Sequence, residues 1–365
     1  MEKDAGWRSG SAVGSYPTGR GFDSLPRYAP MRIGLTADLQ FDEHVRYSTL
    51  GDDGVPTRLR DQLDCFRWIV DTCHKRDLDR LYVLGDIFDS RTTISLSVLD
   101  LVCRNFKIAD TLPIYLLVGN HDSYLRDPRR NSLQVLRGVV ERVIEEPYVE
   151  GRCAFVPWCD DIGQYGEWID GVAGTTAEYL FTHVLIEEAG YPGKGVPLEV
   201  LRPAKWRRIF AGDVHSPVAF VWGDCSIQYV GSPLQIDFRD TGDWRGFAIF
   251  DTESDELEMV ENLKSPRFYL VRNEEEAAQV ESDDFARVKV ENPVKQAKLL
   301  EDLRSRVAWV DGDCVEVVDS KPRLEVEAKT TRKEVLKKYC EYKGVKTDVD
   351  TLVELGSELL EEAEG

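Results

Sequence analysis

The chain has 365 residues and a formal net charge of −20, and this length suits one large domain with one or two smaller ones. The negative charge argues against a protein that wraps nucleic acid with its whole surface, although a local basic groove stays possible. No apolar run approaches the roughly 20 residues of a transmembrane helix, and the first residues lack the apolar core of a signal peptide. We therefore expect a cytoplasmic protein with no membrane partner, and its eight dispersed cysteines are expected to be reduced thiols.

The N-terminal 30 residues are rich in Gly, Ser, Pro and Arg and show no periodicity, so we predict a disordered tail. Met31–Ala37 is a short, mainly apolar run that predicts a strand, and this strand delivers Asp38 and Gln40 at its end. Apolar residues then recur at helical spacing between residues 59 and 76, which predicts an amphipathic helix.

The most informative stretch runs from Leu81 to Asp89 and reads LYVLGDIFD. Its four apolar residues predict a buried strand, and Gly85 permits a sharp turn at the strand's end. Asp86 is thereby placed at the carboxyl edge of a sheet, where α/β folds hold their ligands. A carboxylate in that position is costly unless a cation lies beside it, so the stretch predicts a metal site.

A second strand of the same design follows another predicted helix, Ser95–Phe106. Pro113–Val118 is an apolar run that ends in the sequence GNHD at residues 119–122, again a glycine followed by polar side chains. The order strand, helix, strand, helix, strand predicts an α/β fold with a parallel sheet and right-handed crossovers.

After Gly151 the pattern indicates a β-rich region. Its predicted strands are Glu178–Phe181, Arg208–Ala211, Gln228–Val230 and Gly246–Phe250. The first of these runs into His183, and the second runs into the sequence GDVH at residues 212–215. Two packed sheets flanked by helices fit this order, and we predict that they form a catalytic domain of residues 31–262.

The remainder of the chain predicts two smaller units. Residues 263–325 are predicted to form a small α+β domain, with strands at Arg267–Val271, Ala286–Val290 and Cys314–Val318 and a helix at Pro293–Arg306. Residues 326–365 predict a pair of helices with Gly344 at the end of the first.

Five of the predicted strand ends carry side chains that can bind a metal: Asp38 with Gln40, Asp86, Asn120 with His121, His183, and Asp213 with His215. One such end means little, because a polar residue after a strand is usually part of a turn. Five in one chain favour a single shared site over unrelated turns and caps.

These motifs resemble those of the calcineurin-like metallophosphoesterases over residues 31–216. The chain is also similar to the nuclease subunit of SbcCD-type double-strand-break repair complexes and to phage recombination nucleases. That narrower resemblance rests on the order of the domains and on YVGSPL at residues 229–234, which is similar to the subfamily motif Y-x-G-S-x-x.

The resemblance implies a four-layer sandwich, a DNA-capping domain and a helical tail that binds an SbcC-type coiled-coil ATPase subunit. It also implies a homodimer within a heterotetramer that acts on DNA. We expect this assembly in the cytoplasm or at the nucleoid, or in the host cytoplasm if the chain is phage-encoded.

The resemblance further implies a role for each ligand. The first metal would be bound by Asp38 and His215, the second by Asn120 and His183, and both by Asp86. Two divalent ions roughly 3.5–4 Å apart need a shared anionic ligand, activate a bridging water and neutralise the phosphate.

Two residues beside the metals have other implied roles. His121 matches the family's catalytic histidine, which can protonate the leaving 3′ oxygen or stabilise its charge. Asp89 would orient groups beside the site.

The sequence departs from the family pattern at two ligand positions. The first motif usually reads D-x-H and the last usually reads G-H-x-H, but here Gln40 and Asp213 stand in place of histidines. Both substitutes offer oxygen, which favours Mn²⁺, or else Mg²⁺, over Zn²⁺. A neutral amide is a poorer ligand than imidazole, so the first metal is expected to bind more weakly. His44 could replace the missing histidine, although we interpret it as a loop residue.

Arginines follow two of the ligand motifs, in a chain that is otherwise strongly acidic. Arg91 comes after the Asp86 motif, and Arg126, Arg129 and Arg130 come after the GNHD motif. They are candidates for contacts with DNA phosphates, although scattered surface arginines are the ordinary alternative.

We therefore expect a Mn²⁺-dependent exonuclease or endonuclease of DNA recombination and repair. One alternative is a phosphatase or small-molecule phosphodiesterase of the same superfamily, which would rarely need a capping domain and a helical tail. Another is a scaffold that has lost its metals, which would be free to lose the ligands that this chain retains.

Overall fold

The computed structural model describes residues 30–109, 111–314, 331–345 and 348–362, so residues 1–29 of the predicted tail lie outside it. The strands of the described part are β1 (Arg32–Thr36), β2 (Arg80–Leu84), β3 (Ile114–Leu117), β4 (Arg142–Ile144), β5 (Tyr148–Glu150), β6 (Cys153–Val156), β7 (Tyr179–His183), β8 (Arg208–Gly212), β9 (Val218–Trp222), β10 (Cys225–Tyr229), β11 (Gly246–Asp251), β12 (Leu257–Glu261), β13 (Phe268–Val271), β14 (Phe285–Val290) and β15 (Trp309–Cys314). The α-helices are α1 (Thr57–Lys75), α2 (Leu96–Ile108), α3 (Ile162–Ala173), α4 (Glu274–Ala278), α5 (Pro293–Arg304), α6 (Arg332–Tyr342) and α7 (Val349–Glu362).

Two six-stranded sheets form the body of the protein. The first has the order β12-β11-β1-β2-β3-β4, in which β1 to β4 run parallel and β11 and β12 are antiparallel additions. The second has the order β5-β6-β7-β8-β10-β9, with parallel pairing from β6 through β7 and β8 to β10. In both sheets the central strands are parallel, so their carboxyl ends lie at a common edge.

Strand β2 shows why the central strands are apolar throughout. Leu81 and Val83 pack with residues of α1 and α2, whereas Tyr82 and Leu84 point to the opposite face and pack against the second sheet. A separate core joins the second sheet to α3. The layers are therefore helix, sheet, sheet and helix, and the predicted four-layer α/β sandwich is confirmed.

The region after Gly151 contains a helix that we did not predict. Helix α3 begins after Asp161, whose side chain accepts a hydrogen bond from the Gln164 backbone nitrogen at 3.0 Å. Tyr165 and Ile169 are buried on the face that meets the second sheet. Their spacing, with an N-cap just before, is the signal that would have identified the helix.

The residues after 262 include a three-stranded parallel sheet, β13-β14-β15, packed on α4 and α5 around its own core. Strand β15 begins at Trp309, which pairs with Phe285, and ends at Cys314, the first residue of the predicted third strand Cys314–Val318. Residues 315–318 lie outside the described part. The domain limits at 262 and 325 stay predictions.

An aromatic cluster joins this small sheet to the body. Tyr47 lies in the segment that follows Gln40, and its ring centroid is 5.2 Å from those of Phe268 and Trp309. Phe238, in the loop between β10 and β11, is 5.8 Å from Tyr47. The small sheet therefore packs on the segment that follows Gln40 and on the loop before β11.

Helices α6 and α7 form the predicted C-terminal pair. Gly344 lies between them with a φ of 70°, a left-handed conformation that glycine adopts without steric cost. Tyr342, Leu352 and Leu355 are each about half exposed. Among the described helices of the chain, none is long and apolar enough to cross a membrane.

Candidate metal centre

The predicted ligands follow strands β1, β2, β3, β7 and β8, and they converge where the two sheets meet. The Asp38 backbone nitrogen donates to the carbonyl of Gly85 at 3.0 Å, which ties the turns after β1 and β2 together. The second sheet joins them through His183, whose Nδ1 donates to the carbonyl of Leu84 at 2.6 Å. Backbone geometry thus brings side chains from five strand ends to one place.

Four of these ligands share an unusual backbone conformation. Asp38, Gln40, Asp86 and Asp213 have φ angles of 51°, 45°, 54° and 89°, in the left-handed region that residues with a Cβ seldom occupy. Such strain is typical of functional sites, because the surrounding structure must hold it in place. The turns therefore hold these side chains in a fixed direction at a cost in backbone energy.

The predicted ligands are described here as two groups, with Asp86 counted in both. The first, here called the His183 half-site, consists of Asp86, Asn120, His183 and Asp213. In it, His183 Nε2 lies 3.4 Å from Asp86 Oδ1 and 3.8 Å from Asp213 Oδ1. Asn120 Nδ2 is 3.4 Å from Asp213 Oδ1.

The second group, here called the His215 half-site, consists of Asp38, Gln40, Asp86 and His215. Gln40 Nε2 lies 3.0 Å from His215 Nε2. Asp38 is completely buried, and both of its carboxylate oxygens lie 3.3 Å from the Asp213 backbone nitrogen. One ligand atom each from Asp38, Asp86 and His183 lies within 4.8 Å of the others, so the two half-sites are contiguous.

Two buried atoms test whether these residues fit a metal pair. Within the described residues, His183 Nε2 and Asn120 Oδ1 have no hydrogen-bond partner although both are shielded from solvent. An orphaned buried acceptor such as Asn120 Oδ1 normally costs about 1–3 kcal/mol, so it calls for a partner such as an ion. His183 Nε2 lies 3.4 Å from Asp86 Oδ1 and 3.8 Å from Asp213 Oδ1, an arrangement that suits a proton or a metal ion between them. The donor set and its two orphaned atoms fit divalent cations.

The pKa shifts of the site residues also indicate that cations belong there. Burial raises the pKa of Asp38 well above its usual value, and the nearby carboxylates of Asp86 and Asp213 raise it further. Burial would lower the pKa of His183, but the Asp86 carboxylate outweighs it and holds that pKa well above the usual value. Protons therefore offset part of the negative charge in the absence of metal, and a divalent ion would replace them.

His121 lies beside the ligands with a different orientation. Its backbone nitrogen donates to Asp86 Oδ1 at 2.8 Å, and its ring Nδ1 donates to the carbonyl oxygen of Asp89. The Asp89 carboxylate is 3.9 Å from the same ring nitrogen. Since Nδ1 is occupied and the side chain is 33% exposed, Nε2 is left to face a substrate.

Asp122 is a structural member of the site that the sequence analysis did not single out. This buried carboxylate accepts backbone hydrogen bonds from Gly119, Asp86 and Ile87 at 2.9 to 3.0 Å. It therefore clamps the GNHD turn to the turn that carries the bridging ligand. Its place in the GNHD motif was the available signal.

The YVGSPL motif holds two ligand loops in place. The Tyr229 hydroxyl donates to the Val184 carbonyl at 2.8 Å and accepts from the Ile186 nitrogen at 2.8 Å, just after His183. The Ser232 backbone nitrogen donates to the His215 carbonyl at 2.9 Å. The motif therefore acts on ligand position in both half-sites.

A second device holds the His215 loop. Arg245 is buried, donates to the carbonyl of His215, and forms an ion pair with Asp240 at 3.0 Å. No local motif marks this arginine, because its partner His215 lies 30 residues away in the chain.

Three of the four predicted DNA-binding arginines form ion pairs with aspartate side chains. Arg126 donates to both oxygens of Asp160 at 3.0 Å, and Arg129 lies 3.0 Å from Asp127. Arg130 is 4.0 Å from the same aspartate. The guanidinium of Arg91 instead lies 6.0 Å from the centroid of the Trp158 ring.

His44 occupies the position expected of a loop residue. Its Nε2 lies 3.1 Å from the Gln40 carbonyl oxygen and 3.0 Å from Gln62 Nε2. Ligand atoms of His44, Asp42 and Asp89 also lie within 4.8 Å of one another. The ring nitrogen nearest the predicted site is thus already used to hold the Gln40 backbone.

Comparisons with known proteins give one family and several relatives. Residues 31–217 match the calcineurin-like phosphoesterase family. Exonuclease subunit 1 of Enterobacteria phage T4 is 23% identical over 214 residues, and the match covers 55% of this chain and 61% of the phage protein. The chain therefore matches about three fifths of that relative's length.

Two solved structures are similar at low identity. A dimetal phosphatase from Danio rerio is 14% identical with a TM-score of 0.46, and the match covers 64% of this chain and 96% of the phosphatase. A phosphoesterase from E. coli is 11% identical with a TM-score of 0.34, covering 64% of this chain and 98% of its own.

Tyr229→Phe tests whether the hydroxyl positions His183. We expect the free energy of unfolding to fall by about 1–3 kcal/mol, because two buried backbone groups lose their partner. We also expect weaker Mn²⁺ binding, because those groups directly follow His183. Urea denaturation and isothermal titration calorimetry measure the two effects.

The matched control is Tyr179→Phe, which removes a buried hydroxyl 3.4 Å from the Thr252 carbonyl at the opposite end of β7. It should leave Mn²⁺ affinity at the wild-type value. Equal losses of affinity in both variants, or none in Tyr229→Phe, would contradict the assignment.

Proposed function

Because this chain belongs to the calcineurin-like phosphoesterase family, we propose that it is a two-metal phosphodiesterase that cleaves DNA in recombination and repair. Family membership implies a metal-dependent phosphoesterase. The observation that carries the proposal is the buried group of Asp38, Asp86 and His183, with the orphaned Nε2 of the histidine among the carboxylates. Similarity to a phage exonuclease subunit supports DNA as the substrate.

The two half-sites would each hold one divalent ion, with Asp86 contributing to both. Oxygen predominates among their ligand atoms, because Gln40 and Asp213 offer oxygen where the family has imidazole. Hard oxygen ligands suit Mn²⁺ and Mg²⁺ better than Zn²⁺, so we propose Mn²⁺ as the working ion and Mg²⁺ as a substitute.

Two divalent ions, when bound, neutralise the phosphate and activate a water for attack on phosphorus. His121 supplies the proton transfer, because its Nδ1 donates to Asp89 and its Nε2 is free to hold a proton for the leaving 3′ oxygen. The Asp89 carboxylate lies 3.9 Å from the same ring nitrogen, so the residue that orients the ring is also beside it through its side chain.

The arginines beside the site would contact the DNA backbone. Arg126 and Arg129 are each more than 60% exposed despite their pairs with Asp160 and Asp127. Exposed ion pairs are weak, so a phosphate can replace either carboxylate at little cost. Arg91 pairs with an aromatic ring rather than with an acid, and it is the arginine most readily available to DNA.

The helical pair would bind the coiled-coil segment of an SbcC-type ATPase, within a heterotetramer built on a homodimer of this chain. Its exposed Leu352 and Leu355 form part of an apolar surface, and such surfaces on an amphipathic helix mark partner contacts. The phage relative is named as a subunit, which also supports an assembly.

Asp86→Ala tests the function itself. We expect Mn²⁺-dependent cleavage of single- and double-stranded DNA to be lost while the circular dichroism spectrum is unchanged, because Asp86 is shared by both half-sites. Asp86→Asn is a second variant that keeps the shape of the side chain. Asp170→Ala, which removes an exposed partner of Arg202, should cleave at the wild-type rate.

If Asp86→Ala and Asp86→Asn both retained wild-type nuclease activity, the bridging role of this residue would be wrong. If the wild-type chain instead cleaved phosphomonoesters and no DNA, the chain would be a phosphatase of the same family.

His121→Ala separates proton transfer from metal binding. We expect turnover to fall by roughly 10²–10⁴-fold while two Mn²⁺ ions per chain still bind, because the ring contacts Asp89 rather than the ligand atoms. Calorimetry and steady-state rates are measured on the same preparation. Loss of one bound ion would make His121 a ligand, and His74→Ala on the exposed end of α1 is the control.

Leu352→Glu with Leu355→Glu tests the partner surface. We expect the double variant to lose co-purification with its cognate SbcC-type ATPase while it retains Mn²⁺-dependent cleavage of single-stranded DNA. Val221→Glu alters a still more exposed apolar residue, on β9, and should leave the complex intact. Retention of the complex by the double variant would place the ATPase elsewhere.

A further inference from the structure

One hydrogen bond distinguishes the two halves of the metal centre. In the His215 half-site, the side-chain amide of Gln40 lies 3.0 Å from His215 Nε2. An amide nitrogen can only donate, so the ring nitrogen is the acceptor, and its lone pair is the electron pair that a metal would need. If the amide were turned over, its oxygen would accept from the same ring nitrogen, which would again be occupied.

Both partners of this hydrogen bond are held firmly by the backbone. Gln40 donates its own nitrogen to the Asp86 carbonyl at 2.9 Å, and its carbonyl accepts from Gln62 Nε2 at 2.6 Å. The His215 carbonyl accepts from Arg245 and from the Ser232 nitrogen. The His215 half-site can therefore open by rotation of the Gln40 side chain, without movement of either loop.

In the His183 half-site, no side-chain amide occupies the ring nitrogen that would bind the metal. His183 Nδ1 is used by the Leu84 carbonyl, which leaves Nε2 as the ligand atom, and that atom has no hydrogen-bond partner. Asn120 Oδ1 is likewise unpaired and buried. Neither atom is held by a side chain that must turn away before an ion can bind, because the carboxylates beside His183 Nε2, those of Asp86 and Asp213, belong to the same half-site.

Ligand charge does not distinguish the two half-sites. Asp213, 3.8 Å from His183 Nε2, gives the His183 half-site a second carboxylate beside Asp86. Asp38 does the same in the His215 half-site, so each half-site has two carboxylates, one amide and one imidazole. The hydrogen bond between Gln40 and His215 is therefore the feature that separates them.

We propose that the chain binds its two divalent ions in a fixed order. The His183 half-site fills first, and the His215 half-site fills only when the Gln40 side chain releases His215. Gln40 is thus a specificity-determining residue that lowers the affinity of the His215 half-site and sets the metal concentration at which both half-sites are filled. The inference rests on the two-metal centre of the proposed function, but it concerns ion binding and not the identity of the substrate.

The order of loading is measured on metal-free protein labelled with ¹⁵N-histidine and titrated with Mg²⁺ in the absence of DNA. We expect the ring nitrogens of His183 to shift in a first phase and those of His215 only at concentrations about tenfold higher or more. Simultaneous shifts, or a shift of His215 before His183, would overturn the order.

The role of Gln40 is measured by Mn²⁺ calorimetry on Gln40→His and Gln40→Glu. Gln40→His restores the imidazole that the family has at this position. Gln40→Glu supplies a carboxylate, which can bind a metal but cannot donate a hydrogen bond to His215. We expect either change to bring the second dissociation constant closer to the first by about tenfold or more. Gln279→His adds an exposed imidazole at the end of α4 and should leave both constants unchanged.

A wild-type chain with two equal sites would overturn the proposal. So would an unchanged ratio of the two constants in both folded Gln40 variants. If the ions load in order but no DNA is cleaved, the nuclease function fails and the inference stands. If DNA is cleaved and the ions bind with equal affinity, the inference fails and the function stands.

Discussion

The mutual repulsion of the carboxylates buried in the site is the constraint that the surrounding structure has to meet. Asp38, Asp86 and Asp213 converge with one cationic imidazole, His183, in a place from which water is largely excluded. Charges in such surroundings are unfavourable unless a counter-charge is close, so the arrangement is stable only with protons or metal ions in it. The fold imposes it because the strands that carry these residues are fixed by large apolar cores on both faces.

Much of the surrounding structure serves to hold this unfavourable group together. Asp122 accepts three close backbone hydrogen bonds and unites two ligand turns, although it is not itself placed to bind an ion. Tyr229 and Ser232 do the same for the loops after β7 and β8. A motif that is recognised by its sequence thus acts through position rather than through chemistry.

The small sheet also helps to hold a segment that carries a ligand. It packs through Phe268 and Trp309 on Tyr47, a few residues after Gln40 in the chain. Phe238, in the loop between β10 and β11, lies in the same cluster. The segment just after Gln40, a ligand of the His215 half-site, therefore contacts the small sheet.

The sequence by itself determined the family, the layered α/β architecture and the strand ends that carry the ligands, and the match over residues 31–217 confirms the family. These features are local, because an apolar run followed by a glycine and an aspartate needs only its own residues to be recognised. Local signals also existed for helix α3 and for Asp122, whereas only the tertiary structure decided the pairing of β15 with β14 and the contact of Gln40 with His215. That contact joins residues 175 positions apart. Its existence depends on the packing of the two sheets, which no local pattern records.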